Sequence, residues 1–311
     1  MKKIVVTGAA GLVGQNLIPM LINEGYSVTA IDRNPNLSLL QYLNPKAKCI
    51  RTDVSNIGEW QKEFKGAFCV VQLHAQIASP RKKQFYRSNV DGVQNVLDAC
   101  KKFKVKNLVH LSSSVAISSA NDDYTITKRI GEKLVKQSKI PFMTLRPPLM
   151  YGSFDSKHLG WITRLMEKTP IVPLPGSGEY VRQPLYVKDL CNVIVELTKR
   201  KPKNKTWNII GRERITYVDL LRIIAEVRGW KRLFVPISLP LFGFMLRIYS
   251  IITGKPMFTA DQMKALVAGD EFQIEKWCEE FNVSYTPFRE AIKEIWNGPN
   301  AKYSKIMASP H

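Results

Sequence analysis

The sequence predicts an α/β fold: a doubly wound parallel sheet with helices on both faces, followed by a smaller C-terminal α/β lobe. Three observations carry that prediction. Short apolar runs rich in β-branched residues alternate with helically spaced stretches as far as residue 145, the pattern of successive βαβ crossovers. A glycine-rich turn from Gly8 to Gly14 joins the first run to the first helical stretch. After residue 150 the texture changes, with Pro170, Pro173, Pro175, Gly176 and Gly178 crowding one short segment.

In chain order, strands are expected at 4–7, 27–31, 68–71, 107–111 and 142–145. Pro19 lies inside the first expected helix, where it removes a backbone donor and predicts a kink, and Gly25 reads as that helix's stop. Over 85–103, Val90, Val93, Val96, Leu97 and Cys100 share one helical face. The stretch 170–178 reads as a loop-rich crossing between lobes. A helix is expected from near Asp189, a strand at 206–210, and a second helix from Thr216, with Asp219 three residues on as a capping-box partner. The apolar stretch 233–252 is interrupted by Pro236, Pro240, Gly243 and Arg247, which rejects a membrane span and leaves a surface-lying apolar helix after Pro240.

Composition narrows the class. With 45% hydrophobic and 23% charged residues over 311 positions, the chain can build a core and is not a disordered protein. Cys49, Cys69, Cys100, Cys191 and Cys278 form no CxxC pair, and the first six residues lack a signal-peptide apolar region, so a reduced, cytoplasmic protein is expected. The net charge of +20 raises nucleic acid, a phosphorylated substrate or an acidic membrane surface as partners. Its basic runs at 81–83, 101–106 and 199–205 are separated and lack interleaved aromatics, so they read as solvated lysines and no nucleic-acid partner is expected. His74, His110, His158 and His311 show no metal-ligand spacing, and no metal site is expected.

The turn Thr7-Gly8-Ala9-Ala10-Gly11-Leu12-Val13-Gly14 has the small residues that let a backbone approach a pyrophosphate at a helix N-terminus. An ordinary βα turn is the plainer alternative, but Asp32 at the end of the second strand strengthens the dinucleotide reading. A carboxylate there accepts hydrogen bonds from ribose hydroxyls and repels a 2′-phosphate, favouring NAD, while Arg33 beside it is a residue type that accommodates that phosphate. Downstream, Tyr124 and Lys128 form a YxxxK pair, phenol and ammonium one helical turn apart. A nearby ammonium stabilises phenolate and makes the phenol an acid or base near neutrality. Ser112, Ser113 and Ser114 end the fourth of the expected strands, at the carboxyl edge where open α/β sheets bind ligands.

With these motifs in this order, the chain resembles the extended or atypical short-chain dehydrogenase/reductase family, within its NAD-dependent nucleotide-sugar epimerase/dehydratase group. The resemblance extends to Asp53-Val54, Leu73-His74-Ala75, Asn89, the segment Arg146-Pro147-Pro148-Leu149-Met150-Tyr151-Gly152, and Arg182. It implies a Rossmann-type fold with NAD as cofactor, held by Gly8, Ala10, Gly11, Leu12, Val13, Asp32, Arg33, Asp53, Val54, Leu73, His74, Ala75, Asn89, Ser112, Tyr124, Lys128 and Pro147. It further implies Tyr124 as acid/base, Lys128 as its activator, Ser114 as the hydroxyl on the reacting oxygen with Ser113 next in line, and Arg182 on a substrate pyrophosphate. The expected division is an NAD-binding domain over 1–155 with 181–215 returning to it, a substrate lobe over 156–180 and 216–300, and a tail over 301–311.

Two departures from the group stand out. Only nine residues separate Ser114 from Tyr124, and Val267-Ala268-Gly269-Asp270 lacks the arginine of the family's RxGD segment. These features also resemble two atypical branches, the non-catalytic NADH-dehydrogenase accessory subunits and the hydroxysteroid-type alcohol dehydrogenases. The sequence therefore predicts an NAD-dependent sugar 4-epimerase or 4-keto reductase, with those branches as alternatives. Its expected partner is a sugar or lipid-linked sugar. Peripheral contact of 239–252 with the cytoplasmic membrane face, flanked by Arg232 and Lys255, and a homodimer are compatible with it.

Overall fold

The structure is a computed structural model that describes residues 1–253, 267, 269, 271–299 and 301. Lys255, Ala268, Asp270, residues 302–311 and the side chains of His158, Tyr249 and Ile252 lie outside the described residues. Five strands, β1 (Lys3–Thr7), β2 (Ser27–Asp32), β4 (Ala67–Gln72), β5 (Leu108–Leu111) and β6 (Phe142–Arg146), arise from the expected apolar runs, and β3 (Lys48–Arg51) is a further strand that those runs did not include. Met150–Tyr151 is β7, Ile171–Pro175 β8, Val181–Arg182 β9, Leu185–Tyr186 β10, Lys205–Asn208 β11, Ile215–Thr216 β12 and Leu233–Ile237 β13. The main sheet has the order β11-β6-β5-β4-β1-β2-β3, and every neighbouring pair in it is parallel. The chain leaves β1 in one direction and returns to β4 on its other side, so a switch point opens at the carboxyl ends of β1 and β4.

Both sheet faces are covered, as the doubly wound prediction requires. Along β1, Ile4 and Val6 point into one core and Val5 into the other, the period-two alternation of a strand buried on both sides. Helices α1 (Leu12–Asn23) and α7 (Val187–Lys199) cover the first face through Leu17, Ile18, Leu21, Leu190, Val193 and Ile194. After the short helices α2 (Leu37–Leu43) and α3 (Lys82–Tyr86), α4 (Gly92–Lys102) and α5 (Asp123–Gln137) cover the second through Val93, Val96, Leu97, Cys100 and Val135. Further α-helices among the described residues are α6 (His158–Lys168), α8 (Tyr217–Val227), α9 (Leu239–Thr253), Trp277–Phe281 and Phe288–Asn297.

Two local expectations change in the fold. Pro19 falls inside α1, which is helical from Leu12 to Asn23 and packs along α7. Burial of its apolar face outweighs one missing hydrogen bond. The helix ends where Gly25 predicts, in a Schellman turn: Gly25 has φ +80°, and the amides of Gly25 and Tyr26 reach Ile22 and Leu21 carbonyls at 3.0 and 3.1 Å. The expected single helix over 85–103 is broken by a π-helical turn, Arg87–Asp91, between α3 and α4. The proline-rich crossing at 170–178 contains β8, which pairs in parallel with β13 in a separate two-stranded ribbon. Prolines persist there because a two-stranded ribbon leaves each strand one edge with no ladder to complete.

Candidate active site

The glycine turn closes against β4's continuation. Gly8 has φ +75°, and a Cβ on it would lie 2.4 Å from the His74 backbone nitrogen, so no other residue fits. A Cβ on Gly14 would lie 2.3 Å from the Ala9 carbonyl oxygen. Gly11, by contrast, has open space, its ideal Cβ meeting only the Gly8 carbonyl at 3.4 Å. Helix α1 begins there with neither a side-chain cap nor an acidic residue in its first turn. Its free amides and positive dipole end are left for an anion.

A cleft of about 340 Å³ runs along the carboxyl edge of the sheet. Of the residues expected at a cofactor, Gly8, Ala10, Gly11, Leu12, Val13, Asp32, Arg33, Asp53, Val54, Leu73, His74, Ala75, Ser112, Tyr124 and Lys128 line it. At one end Asp32 accepts the Ala10 amide at 2.9 Å and the Asn34 amide at 2.8 Å. Burial pushes its carboxyl above the ordinary range, and those amides oppose the shift. Arg33 is engaged with Asp53 at 3.2 Å and Gln76 at 2.8 Å, while Arg87 also reaches Asp53 at 3.2 Å. Burial acts to raise the Asp53 carboxyl, but hydrogen bonds from Ser55 and Arg33 outweigh it and hold the group below its ordinary value.

At the other end α5 presents Tyr124, Lys128 and Glu132 on one face, at i, i+4 and i+8. Asp122 starts the helix by accepting the Thr125 amide at 3.1 Å. Ser113 beside the Tyr124 phenol acts to lower it, but burial outweighs that and pushes it up to about 12. Lys128 donates to the Leu111 carbonyl at 2.8 Å, and burial brings its ammonium down to about 8 against the opposing pull of Glu132. Glu132 in turn accepts both arms of Arg146, at 2.7 and 2.6 Å, clamping α5 to the end of β6.

Five expected residues sit elsewhere. Asn89 lies behind the cleft wall: it accepts the Gln76 amide at 2.8 Å and donates to the Gln76 carbonyl and Thr127 hydroxyl, each at 3.0 Å. Gly131, on the facing helix, is spaced so that a Cβ would come within 3.0 Å of the Asn89 carbonyl. Pro147 accepts the Ser114 amide at 2.9 Å, which sets the serine turn without bringing Pro147 into the cleft wall. Ser113 and Ser114 are both buried just behind the wall, and of the two it is Ser113 that acts on the Tyr124 phenol. Arg182 is buried on β9, its guanidinium 5.6 Å from the Tyr180 ring, outside the cleft lining. Gly269 of the second arginine-poor segment is brought against Val181, with its ideal Cβ 3.3 Å from that carbonyl.

Sequence reasoning missed Gln76, Met150 and the loop Asp155-Ser156-Lys157, which all line the cleft. Asp155 accepts the Lys157 and Gly160 amides, each at 2.9 Å, and burial pushes its carboxyl up to about 7. An Asp placed just ahead of a helical stretch was the available signal.

A sequence profile of the NAD dependent epimerase/dehydratase family matches residues 4–209. The chain belongs to that family. Among curated proteins it is 22% identical over 257 residues to a ceramide reductase of Caulobacter vibrioides, covering 81% of this chain and 80% of that one. It is 23% identical over 249 residues to a farnesyl-dihydroquinoline-oxide ketoreductase of Stigmatella aurantiaca, covering 73% of each. Among solved structures, UDP-glucuronic acid 4-epimerase from Bacillus cereus, in complex with NAD, superposes with TM-score 0.73 at 21% identity over 99% of this chain and 100% of that one. UDP-glucose 4-epimerase from Thermotoga maritima does so with TM-score 0.76 at 19% identity over 98% and 99%.

As a member of the NAD-dependent epimerase/dehydratase family the protein is an oxidoreductase or isomerase, and its cofactor is NAD. The cleft fits that group on its own geometry. A glycine-only approach at Gly8, the uncapped α1 and a carboxylate at the tip of β2 lie in the order phosphate and ribose demand.

Proposed function

We propose that this chain transfers hydride between NAD and a carbon bearing a hydroxyl or ketone, and that the carbon belongs to a sugar, as in a nucleotide-sugar 4-epimerase or 4-keto reductase. The observation that carries the chemistry is the Tyr124 phenol in the cleft wall, with Lys128 one turn along the same helix and Ser113 beside it. NAD supplies or accepts the hydride. As hydride reaches a ketone carbon, the phenol gives its proton to the ketone oxygen, and we assign the hydrogen bond to that oxygen to Ser113 or Ser114. Burial keeps the phenol protonated at neutral pH, so the resting site is set to donate, the state a keto reduction needs. A non-catalytic accessory role has no use for this Ser-Tyr-Lys set.

The solved relatives named for UDP-sugars support the sugar reading. A second reading, an apolar ketone or alcohol, is favoured by the short connection from Ser114 to Tyr124 and by the curated relatives named as ceramide and farnesyl-quinoline reductases. The five free cysteines suit a reducing, cytoplasmic setting. A panel of 4-keto nucleotide sugars and long-chain ketones, followed by loss of NADH absorbance and by product analysis, separates the readings. Turnover confined to the long-chain ketones would remove the sugar assignment, and none from either set, with NADH bound, would return the accessory role.

Cofactor choice gives a further prediction. Asp32 sits where it accepts the adenosine ribose hydroxyls, so NAD binds more tightly than NADP. Asp32→Ala weakens NAD by about 10–100-fold, the worth of hydrogen bonds to a charged group, and narrows the preference over NADP. Fluorescence titration of both cofactors measures it, and a wild type that prefers NADP transfers the role to Arg33.

A further inference from the structure

We infer that α9 seats this protein on an anionic bilayer surface. In a globular lobe an amphipathic helix turns its apolar stripe inward, and α9 does the reverse. Leu241 (52% exposed), Phe244 (58%), Met245 (42%), Ile248 (42%) and Ile251 (82%) fall at i, i+3, i+4, i+7 and i+10, so one continuous apolar face looks outward. The inward side is held by Phe242, which is buried, and by the packing of the helix on β8. That ribbon adds a second exposed apolar pair, Ile171 and Leu233, which are register partners across β8 and β13.

The charge around the stripe selects the occupant. From Gly229 to Thr253 there is no acidic residue, whereas Lys231 and Arg247 are exposed. The acid that precedes β8, Glu167, is paired with Arg228 at 3.7 Å. An apolar face bordered by cations that no described acidic residue pairs matches an anionic lipid interface, where burial and electrostatic attraction add. With 15 residues, α9 is about 22 Å long, short of the roughly 30 Å hydrocarbon core, and no described helix is long and apolar enough to cross a membrane. The helix therefore lies in the interface and does not span it. This seat does not depend on the sugar reading, since it presents the same enzyme to a soluble or a lipid-borne substrate.

Co-sedimentation of the full chain with phosphatidylcholine vesicles, with and without phosphatidylglycerol, tests it at low and high salt. Partitioning is expected to be at least about tenfold stronger onto the anionic vesicles and to fall with salt. Phe244→Ser with Ile251→Ser, or Lys231→Glu with Arg247→Glu, each lowers it by about tenfold or more while NAD binding is kept. Equal binding to both vesicle types, or no binding, overturns the inference. So does a dimer in solution that Phe244→Ser with Ile251→Ser dissociates, since a second copy would then be the occupant.

Discussion

Tyr124→Phe lowers kcat by about 10²–10⁴-fold, the worth of a positioned general acid, with NAD affinity nearly unchanged. The substitution removes one oxygen from a side chain that is already packed, so the fold has no reason to change. Comparing Ser113→Ala with Ser114→Ala on the same substrate then identifies the partner hydroxyl, and the larger loss is expected at Ser113. A pH dependence accompanies this result. The Lys128 ammonium is brought down to about 8, so it is charged below that pH and loses its charge as pH rises through it. kcat/KM for the cofactor, which reports the free enzyme, therefore falls as pH rises past about 8. A wild-type rate for Tyr124→Phe would remove the phenol from the mechanism.

Arg146→Leu destabilises the protein by about 3–5 kcal/mol, because it strands the buried Glu132 carboxylate without its bidentate partner. Urea unfolding measures the loss. The double substitution Glu132→Leu with Arg146→Leu recovers much of it, since paired removal deletes both desolvated charges. Activity should not recover with stability in the double variant, because Glu132 also faces Lys128. Recovery of both would make the clamp a purely structural pair.

Much of the architecture was legible because its signals are local. Alternating apolar runs, the Gly8 turn, Gly25 as a stop and Thr216 as a cap each depend on a few neighbouring residues. The YxxxK spacing belongs with them, since a helix brings i and i+4 together wherever it sits. Glu132, at i+8 on that face, obeys the same rule and was readable by extending it one turn.

By itself, then, the sequence determined the doubly wound sheet, the cofactor turn and the one-turn spacing of Tyr124 and Lys128, all consequences of periodicity and backbone freedom. Only the tertiary structure decided which way individual side chains face. The π-helical turn sends Asn89 behind the cleft wall to Gln76, and the chain after β5 turns Ser113 toward the phenol. The loop at Asp155 joins the cleft because Asn16 of α1 donates to the Ser153 carbonyl at 2.9 Å, a contact 137 residues apart in sequence. The outward turn of α9 is of the same kind: composition marks the helix as apolar, but only its packing on β8 shows which stripe is left for solvent. Orientation is set by contacts between residues distant in the chain, and no local pattern encodes it.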